Sequence, residues 1–201
     1  CANYGSIDLL WFDGQWEHTA KEWRAAELVR MVRELQPGIV VNDRLNAPGL
    51  GDYGTPEQFI PLRPLEHDWE TCMTLNETWA YNPEDRAYKS CAELIATLAE
   101  VVSKGGNLLL NVGITPDGEI APEFASRLRV VGKWLRRNGE SVYGAEPGLP
   151  SGAYTGLSTA KGDALYLHVL GRPAGGVIRV LSLDRRVRDV CLLATGQPLE
   201  W

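Results

Sequence analysis

Short apolar runs alternate with amphipathic segments along the chain up to about residue 140. Apolar runs without alternation predict strands covered on both faces, and they lie at 7–13, 39–42, 69–75 and 107–113. Apolar residues at helical spacing predict helices over 18–36, 87–104 and 122–137. Strands that alternate with helices predict an α/β fold with a parallel sheet and right-handed crossovers.

The pattern changes after Asn138-Gly139. Three short runs divided by Gly, Pro and Asp-Arg turns predict strands over 164–170, 177–183 and 190–194. Three or four strands are too few for a complete sandwich. The last sixty or so residues therefore predict the beginning of a β-rich domain.

Polar side chains stand where the predicted parallel strands end. Asp13 follows the first strand, Asp43-Arg44 the second and Asn111 the fourth, and Glu57 lies in the long loop 46–67. Carboxyl ends of barrel strands open on one face, where catalytic groups gather. Two carboxylates on one face are the minimum set of a glycosidase, in which one acid attacks the anomeric carbon and the other holds a proton for the leaving oxygen.

Simpler interpretations of the two acids stay open at this point. Asp13 would serve equally well as the N-cap of a following helix. Glu57 would be an ordinary solvated acid in a polar loop. Arg44 would either bind a sugar hydroxyl or keep the attacking acid ionised.

Composition narrows the class of partner. The net charge of −6 argues against nucleic acid, and no apolar run reaches the roughly 18 residues that a membrane span needs. Tryptophan and tyrosine outnumber phenylalanine, with seven, seven and three residues, a bias that suits sugar rings. The four cysteines have no C-x-x-C spacing, and the three histidines are isolated, so we expect no metal and no cofactor.

Five sequence blocks resemble the retaining α-L-fucosidases of glycoside hydrolase family 29, in the family's order. They are LWFDG from Leu10, VNDR from Val41, DYGTPEQFIP from Asp52, WETCMT from Trp69 with Trp79 and Tyr81, and VSKGGNLLLNVG from Val102. The tail from Thr195 to Trp201 resembles the start of that family's β-domain.

The resemblance implies a role for several residues. Asp13 matches the nucleophile and Glu57 the general acid/base, while Arg44 matches an arginine that contacts fucose. Trp79 matches an aromatic residue that packs on the apolar side of fucose. Two further residues, Trp69 and Glu70, belong to a block near the site and are expected to bind substrate.

The resemblance also implies an architecture and an activity. Residues 1–140 are expected to form the C-terminal half of a (β/α)8-like barrel, and residues 141–201 the start of a truncated β-sandwich domain. The implied function is exo-α-L-fucosidase acting on fucosylated glycans without a cofactor, in a secreted, periplasmic or lysosomal setting. The oligomeric state is not indicated.

The family's upstream strands, which carry sugar-binding histidines, do not occur in these 201 residues. The chain is therefore expected to be a fragment, and two alternatives stay open. One is an inactive or carbohydrate-binding fragment, and the other is a retaining glycosidase with a different sugar specificity.

Overall fold

Most helices and strands of the first part lie inside the predicted ranges, and the third helix ends at Asn138, one residue beyond its predicted end. A computed structural model describes residues 1–181 and 183–201. The helices are α1 (Ala25–Leu35), α2 (Cys91–Ser103) and α3 (Pro122–Asn138). The strands are β1 (Leu9–Leu10), β2 (Val40–Val41), β3 (Glu70–Thr74), β4 (Asn107–Asn111), β5 (Glu146–Pro147), β6 (Leu157–Lys161), β7 (Ala164–His168), β8 (Cys191–Leu192) and β9 (Gln197–Pro198).

The first four strands belong to one run of parallel pairings. β1 pairs with β2, and β3 pairs with β4, in both cases in parallel. Residues 53–57 connect the two pairs, because Tyr53 bridges to Asn42 beyond β2 while Glu57 bridges to Cys72 of β3. The predicted α/β class is confirmed, and the ends of successive strands come to the same edge of this parallel layer.

Two helices cover the parallel layer. α1 turns Ala25, Val29 and Val32 inward, and Val32 packs with Val41 of β2. Ser90 caps the start of α2. Its hydroxyl accepts from the backbone N–H of Glu93, and the Glu93 carboxylate accepts from the backbone N–H of Ser90. The helix α2 packs against β4 and α3, and a core cluster lies there (Leu75, Leu94, Ala121 and Phe124).

The helix predicted over 18–36 begins later than expected. Thr19 and Glu22 bond each other's backbone N–H in the manner of a capping box, so a turn does start near the predicted position. Arg24 then adopts a left-handed conformation with φ of 51°, which a regular helix excludes. The helix α1 therefore starts only at Ala25.

The strands that follow α3 pair in antiparallel fashion, and only some of the strands predicted there are present. β6 pairs with β5 and β7, and β8 pairs with β9, so the strands predicted over 164–170 and 190–194 have counterparts. The strand predicted over 177–183 does not, since residues 177–181 form no regular element and position 182 lies outside the described residues. Among the described residues of this run, the N–H of Leu181 donates to the Ala153 carbonyl at 2.7 Å, but one such bond does not make a strand ladder.

Candidate active site

A buried arginine joins the two predicted catalytic acids. Arg44 lies just beyond β2 and is only 5% exposed. Its Nη1 donates to Oδ1 of Asp13 at 3.0 Å and forms an ion pair with Oε2 of Glu57 at 2.7 Å. The two acids are far apart along the chain, and the fold brings both to one nitrogen atom.

Asp13 is held in place by a side chain from the neighbouring strand. The amide of Asn42 is buried and binds the backbone of Phe12 twice, accepting from its N–H at 2.9 Å and donating to its carbonyl at 2.8 Å. This contact ties the end of β1 to the end of β2. Because the Asp13 side chain is 56% exposed, its carboxylate is accessible from solvent as well as from Arg44.

Glu57 is positioned by the backbone of β3. The chain on either side of it is hydrogen-bonded to Cys72, with the N–H of Gln58 donating to the Cys72 carbonyl at 2.9 Å and the N–H of Cys72 donating to the Pro56 carbonyl at 3.0 Å. The Glu57 side chain is 41% exposed. A fixed backbone therefore presents a carboxylate that still has room to turn.

The rest of the Arg44 guanidinium contacts neutral groups. Its Nε donates to the hydroxyl of Thr55 at 2.9 Å, and its Nη2 contacts the Thr55 carbonyl at 3.3 Å and the Cys72 sulfur at 3.2 Å. Burial acts to lower the pKa of Arg44, but the bonds from Glu57 and Asp13 outweigh burial and leave that pKa raised. The residue is a permanent cation in the site.

Trp11 is a site residue that sequence reasoning left out. Its ring lies 4.4 Å from Cζ of Arg44, within the range of a cation–π contact, and its indole N–H donates to Oε1 of Glu70 at 3.3 Å. It stands two positions before Asp13, so strand alternation would have placed both side chains on one face. That spacing was the signal available in the sequence.

Glu70 joins the site through Trp11. Burial raises the pKa of Glu70, and the bond from Trp11 only partly opposes that effect. Burial likewise raises the pKa of the Cys72 thiol, although Arg44 acts in the opposite direction. The site thus contains one half-buried acid whose pKa is raised by burial, linked through Trp11 to an arginine that contacts two other acids.

The two predicted tryptophans occupy different environments. Trp79 is 41% exposed, and its carbonyl accepts from the side chain of Asn111 at 2.8 Å, which places it at the carboxyl edge of β4. Trp69 is only 1% exposed, and its indole N–H donates to the Lys104 carbonyl at 3.3 Å. Burial leaves the Trp69 ring little surface for a sugar to contact, so its role in binding substrate stays a prediction.

Two further observations bear on partners. Among the described residues, no group of three or more His, Cys, Asp or Glu side chains could hold a metal ion. Within the same residues, no helix combines the length and apolar character needed to cross a membrane.

The α/β fold brings two carboxylates to one edge of its parallel strands, and a pair of carboxylates is the catalytic equipment of most glycosidases. A family model described as Alpha-L-fucosidase matches residues 1–140. The chain belongs to the α-L-fucosidase family.

Relatives and solved structures agree with this assignment. The chain is 34% identical to an alpha-L-fucosidase of Branchiostoma floridae and 34% identical to the tissue alpha-L-fucosidase of Homo sapiens, over 96% of this chain in each case. The structure of alpha-L-fucosidase isoenzyme 1 from Paenibacillus thiaminolyticus superposes on 98% of the chain with a TM-score of 0.90 and 41% identity.

A second solved structure is a trapped covalent intermediate of a GH29 alpha-L-fucosidase from Bacteroides thetaiotaomicron with 2-fluoro-fucosyl fluoride. It matches 96% of the chain at a TM-score of 0.83 and 29% identity. The chain covers 46% and 45% of the two relatives above and 50% of each of the two solved chains. It therefore spans about half the length of the proteins that it matches.

Proposed function

We propose that this chain supplies the nucleophile and the general acid/base of an exo-acting, retaining α-L-fucosidase. The observation that carries the proposal is the contact of Asp13 and Glu57 with the same nitrogen of Arg44. Membership of the family supports fucose as the sugar.

The geometry favours retention over inversion. Two oxygens at 3.0 Å and 2.7 Å from one nitrogen can be no farther apart than the sum of these distances. Carboxyl groups lie about 5–5.5 Å apart in retaining glycosidases and about 6.5–9.5 Å apart in inverting ones, which need room for a water. The Bacteroides relative, for which a covalent intermediate was trapped, supports the same mechanism here.

The reaction would proceed by double displacement. The Asp13 carboxylate attacks the anomeric carbon while protonated Glu57 gives its proton to the glycosidic oxygen, so the carbon–oxygen bond breaks and fucosyl-Asp13 forms. Glu57, now ionised, takes a proton from water, and the resulting hydroxide displaces Asp13 and releases fucose.

Arg44 would serve the two acids differently. Its Nη1 holds the Asp13 carboxylate, the attacking group, by a charge-assisted hydrogen bond at 3.0 Å. Glu57 has to leave Arg44 to hold a proton, and its 41% exposed side chain has space to turn to the leaving oxygen. Glu70, Trp79 and Trp69 remain the proposed contacts for the sugar, although Trp69 is buried.

The finer architecture is also part of the proposal. The parallel order of β1 to β4 supports the C-terminal half of a (β/α)8-like barrel in residues 1–140. The antiparallel strands β5 to β7 support the start of a β-sandwich in residues 141–201. We propose a fucosylated glycan as partner and a secreted, periplasmic or lysosomal setting.

Covalent labelling tests this proposal directly. Incubation of the purified protein with 2-fluoro-fucosyl fluoride should add one fluorofucosyl group to the peptide that contains Asp13, detectable by mass spectrometry. Asp13→Asn should not be labelled, because an amide is a poor nucleophile, whereas Asp8→Asn, the matched control at an exposed position of the same segment, should be. Labelling of another peptide would refute the assignment of Asp13.

Hydrolysis of a panel of aryl glycosides separates the alternatives. Release of the aryl group from an α-L-fucoside alone is the expected result. Preference for another sugar would indicate a retaining glycosidase of different specificity. Binding of fucose without hydrolysis or labelling would indicate a carbohydrate-binding fragment.

A further inference from the structure

Charged and neutral partners contact different nitrogens of the Arg44 guanidinium. Both carboxylates, from Asp13 and Glu57, contact Nη1. Nε and Nη2 contact only neutral acceptors, which are the hydroxyl and carbonyl of Thr55 and the sulfur of Cys72. A change in the side-chain torsions of Arg44 would swing Nη1 away from the acids, and the bonds of Nε and Nη2 to the neutral acceptors oppose that movement.

The Thr55 hydroxyl has a fixed direction. Its oxygen lies 2.6 Å from Oδ1 of Asp43 and 2.9 Å from Nε of Arg44. A carboxylate only accepts and a guanidinium only donates, so the single hydroxyl proton goes to Asp43. The lone pairs of the oxygen are thereby turned toward Arg44.

Two different contacts restrain the guanidinium plane and its rotation. Cζ of Arg44 lies over the Trp11 ring, whereas Thr55 and Cys72 accept hydrogen bonds from Nε and Nη2. Arg44 and Cys72 are almost fully buried, at 5% and 3% exposure. Water therefore has little access to replace a lost acceptor, and an unpaired buried N–H of a charged group is costly.

We propose that Thr55, oriented by Asp43 and assisted by Cys72, is a positioning residue that directs Nη1 of Arg44 to both catalytic acids. This inference rests on the proposed function for its kinetic consequence. Its structural content, the orientation of Arg44, does not depend on activity.

The kinetic test compares Thr55→Val, which removes the hydroxyl at nearly constant volume, with Thr55→Ser, which keeps it. Thr55→Val should lower kcat/KM on an aryl α-L-fucoside on the order of tenfold, equivalent to about 1.4 kcal/mol, mainly in kcat. The loss should fall on kcat with KM nearly unchanged, because Asp13 and Glu57 lose the shared donor that aligns them. Thr55→Ser should stay within about threefold of the wild type, since the charge-assisted bond is kept.

Thr71→Val is the matched control. Thr71 is fully buried in β3, and its hydroxyl donates to the Phe59 carbonyl at 2.8 Å without touching Arg44. Its loss should reduce the melting temperature as Thr55→Val does but leave kcat unchanged. Equal kinetic effects of the two variants would reduce Thr55 to a general packing role and overturn the proposal.

A double-mutant cycle tests whether Thr55 acts through Arg44. Arg44→Lys keeps the positive charge but has no Nε or Nη2 of a guanidinium. In this background, Thr55→Val should lower kcat/KM by less than about threefold, because the effects of interacting residues are not additive. Cys72→Ala should behave in the same way, with Cys91→Ala on α2 as its control. Multiplicative effects would contradict the proposal.

A spectroscopic measurement keeps the inference separate from the proposed function. The Nε–H proton of Arg44 should give a protected NMR signal in the wild type and in Thr71→Val, and that signal should be lost or strongly shifted in Thr55→Val. An unchanged signal in folded Thr55→Val would overturn the proposal whatever the activity. A wild type that does not hydrolyse fucosides, but whose signal responds as expected, would refute the proposed function and leave the positioning role supported.

Discussion

At the scale of single residues, the site contains three acids in different surroundings. Asp13 and Glu57 contact a buried cation, while Glu70 receives only an indole N–H and its pKa is raised by burial. A general acid has to be protonated before it can act. The environment of Glu70 therefore makes it the natural competitor of Glu57 for this role.

Azide distinguishes these two acids. Glu57→Ala should lower kcat on a substrate with a poor leaving group by about 10²–10⁴-fold, the range for loss of general acid–base catalysis. Azide, which needs no base, should restore turnover of an activated aryl fucoside and give fucosyl azide with retained configuration, identified by NMR. Glu70→Ala should show no such rescue, and rescue of Glu70→Ala alone would transfer the acid/base role to Glu70.

At the scale of elements, a glycine makes the position of β3 possible. A Cβ at Gly106 would lie 2.4 Å from Cζ2 of Trp69, so only glycine lets the β4 backbone approach the buried indole. The preceding Gly105 has φ of 78° and ends the turn after α2. The glycine pair thus ends a helix and also makes room for the ring that supports β3.

Gly106→Ala should destabilise the protein by about 1–3 kcal/mol, as overpacking of a core does. Denaturant unfolding followed by tryptophan fluorescence would measure this change. Gly38→Ala is the control, because a Cβ at Gly38 meets nothing within 4 Å and φ is not positive there. Gly38→Ala should change the free energy of unfolding by no more than about 0.5 kcal/mol. An equally small change for Gly106→Ala would contradict the packing argument.

At the scale of the whole molecule, a buried hydrogen-bond chain joins α3 to the antiparallel sheet. The Thr159 hydroxyl of β6 donates to the carbonyl of Ser141, just beyond α3, at 2.7 Å. Since its proton is used there, the Thr159 oxygen accepts from Nε2 of His168 at 3.0 Å. His168 is 8% exposed, and burial lowers its pKa.

This junction should weaken in acid. A base whose pKa is lower in the folded state contributes full stability above its unfolded pKa of about 6.5, and that contribution is lost as pH falls through the lower folded value. The melting temperature of the wild type should therefore fall more steeply below about pH 6.5 than that of His168→Gln, which keeps a donor near the Nε2 position. His67→Gln, at an exposed position, should resemble the wild type, and identical curves for all three proteins would exclude His168 as the cause.

Several features were predictable because they depend on local pattern. Asp13 and Arg44 follow apolar strands, and strand ends in a parallel layer meet at one edge. The capping box of α2 is recognisable in the sequence as Ser90 followed three residues later by Glu93. Other features were not predictable, since the late start of α1 depends on the left-handed Arg24 and the missing strand over 177–181 depends on pairing.

The sequence by itself determined the order of the strands and helices, the α/β class and the acids available for chemistry, because periodicity and strand ends are local properties of the chain. Only the tertiary structure decided that Asp13 and Glu57 share one nitrogen of Arg44, that Trp11 lies against that cation, and that the Trp69 ring is buried. The physical reason is that contacts between residues distant in sequence depend on which faces the packed elements present to one another, and a linear pattern does not contain that information.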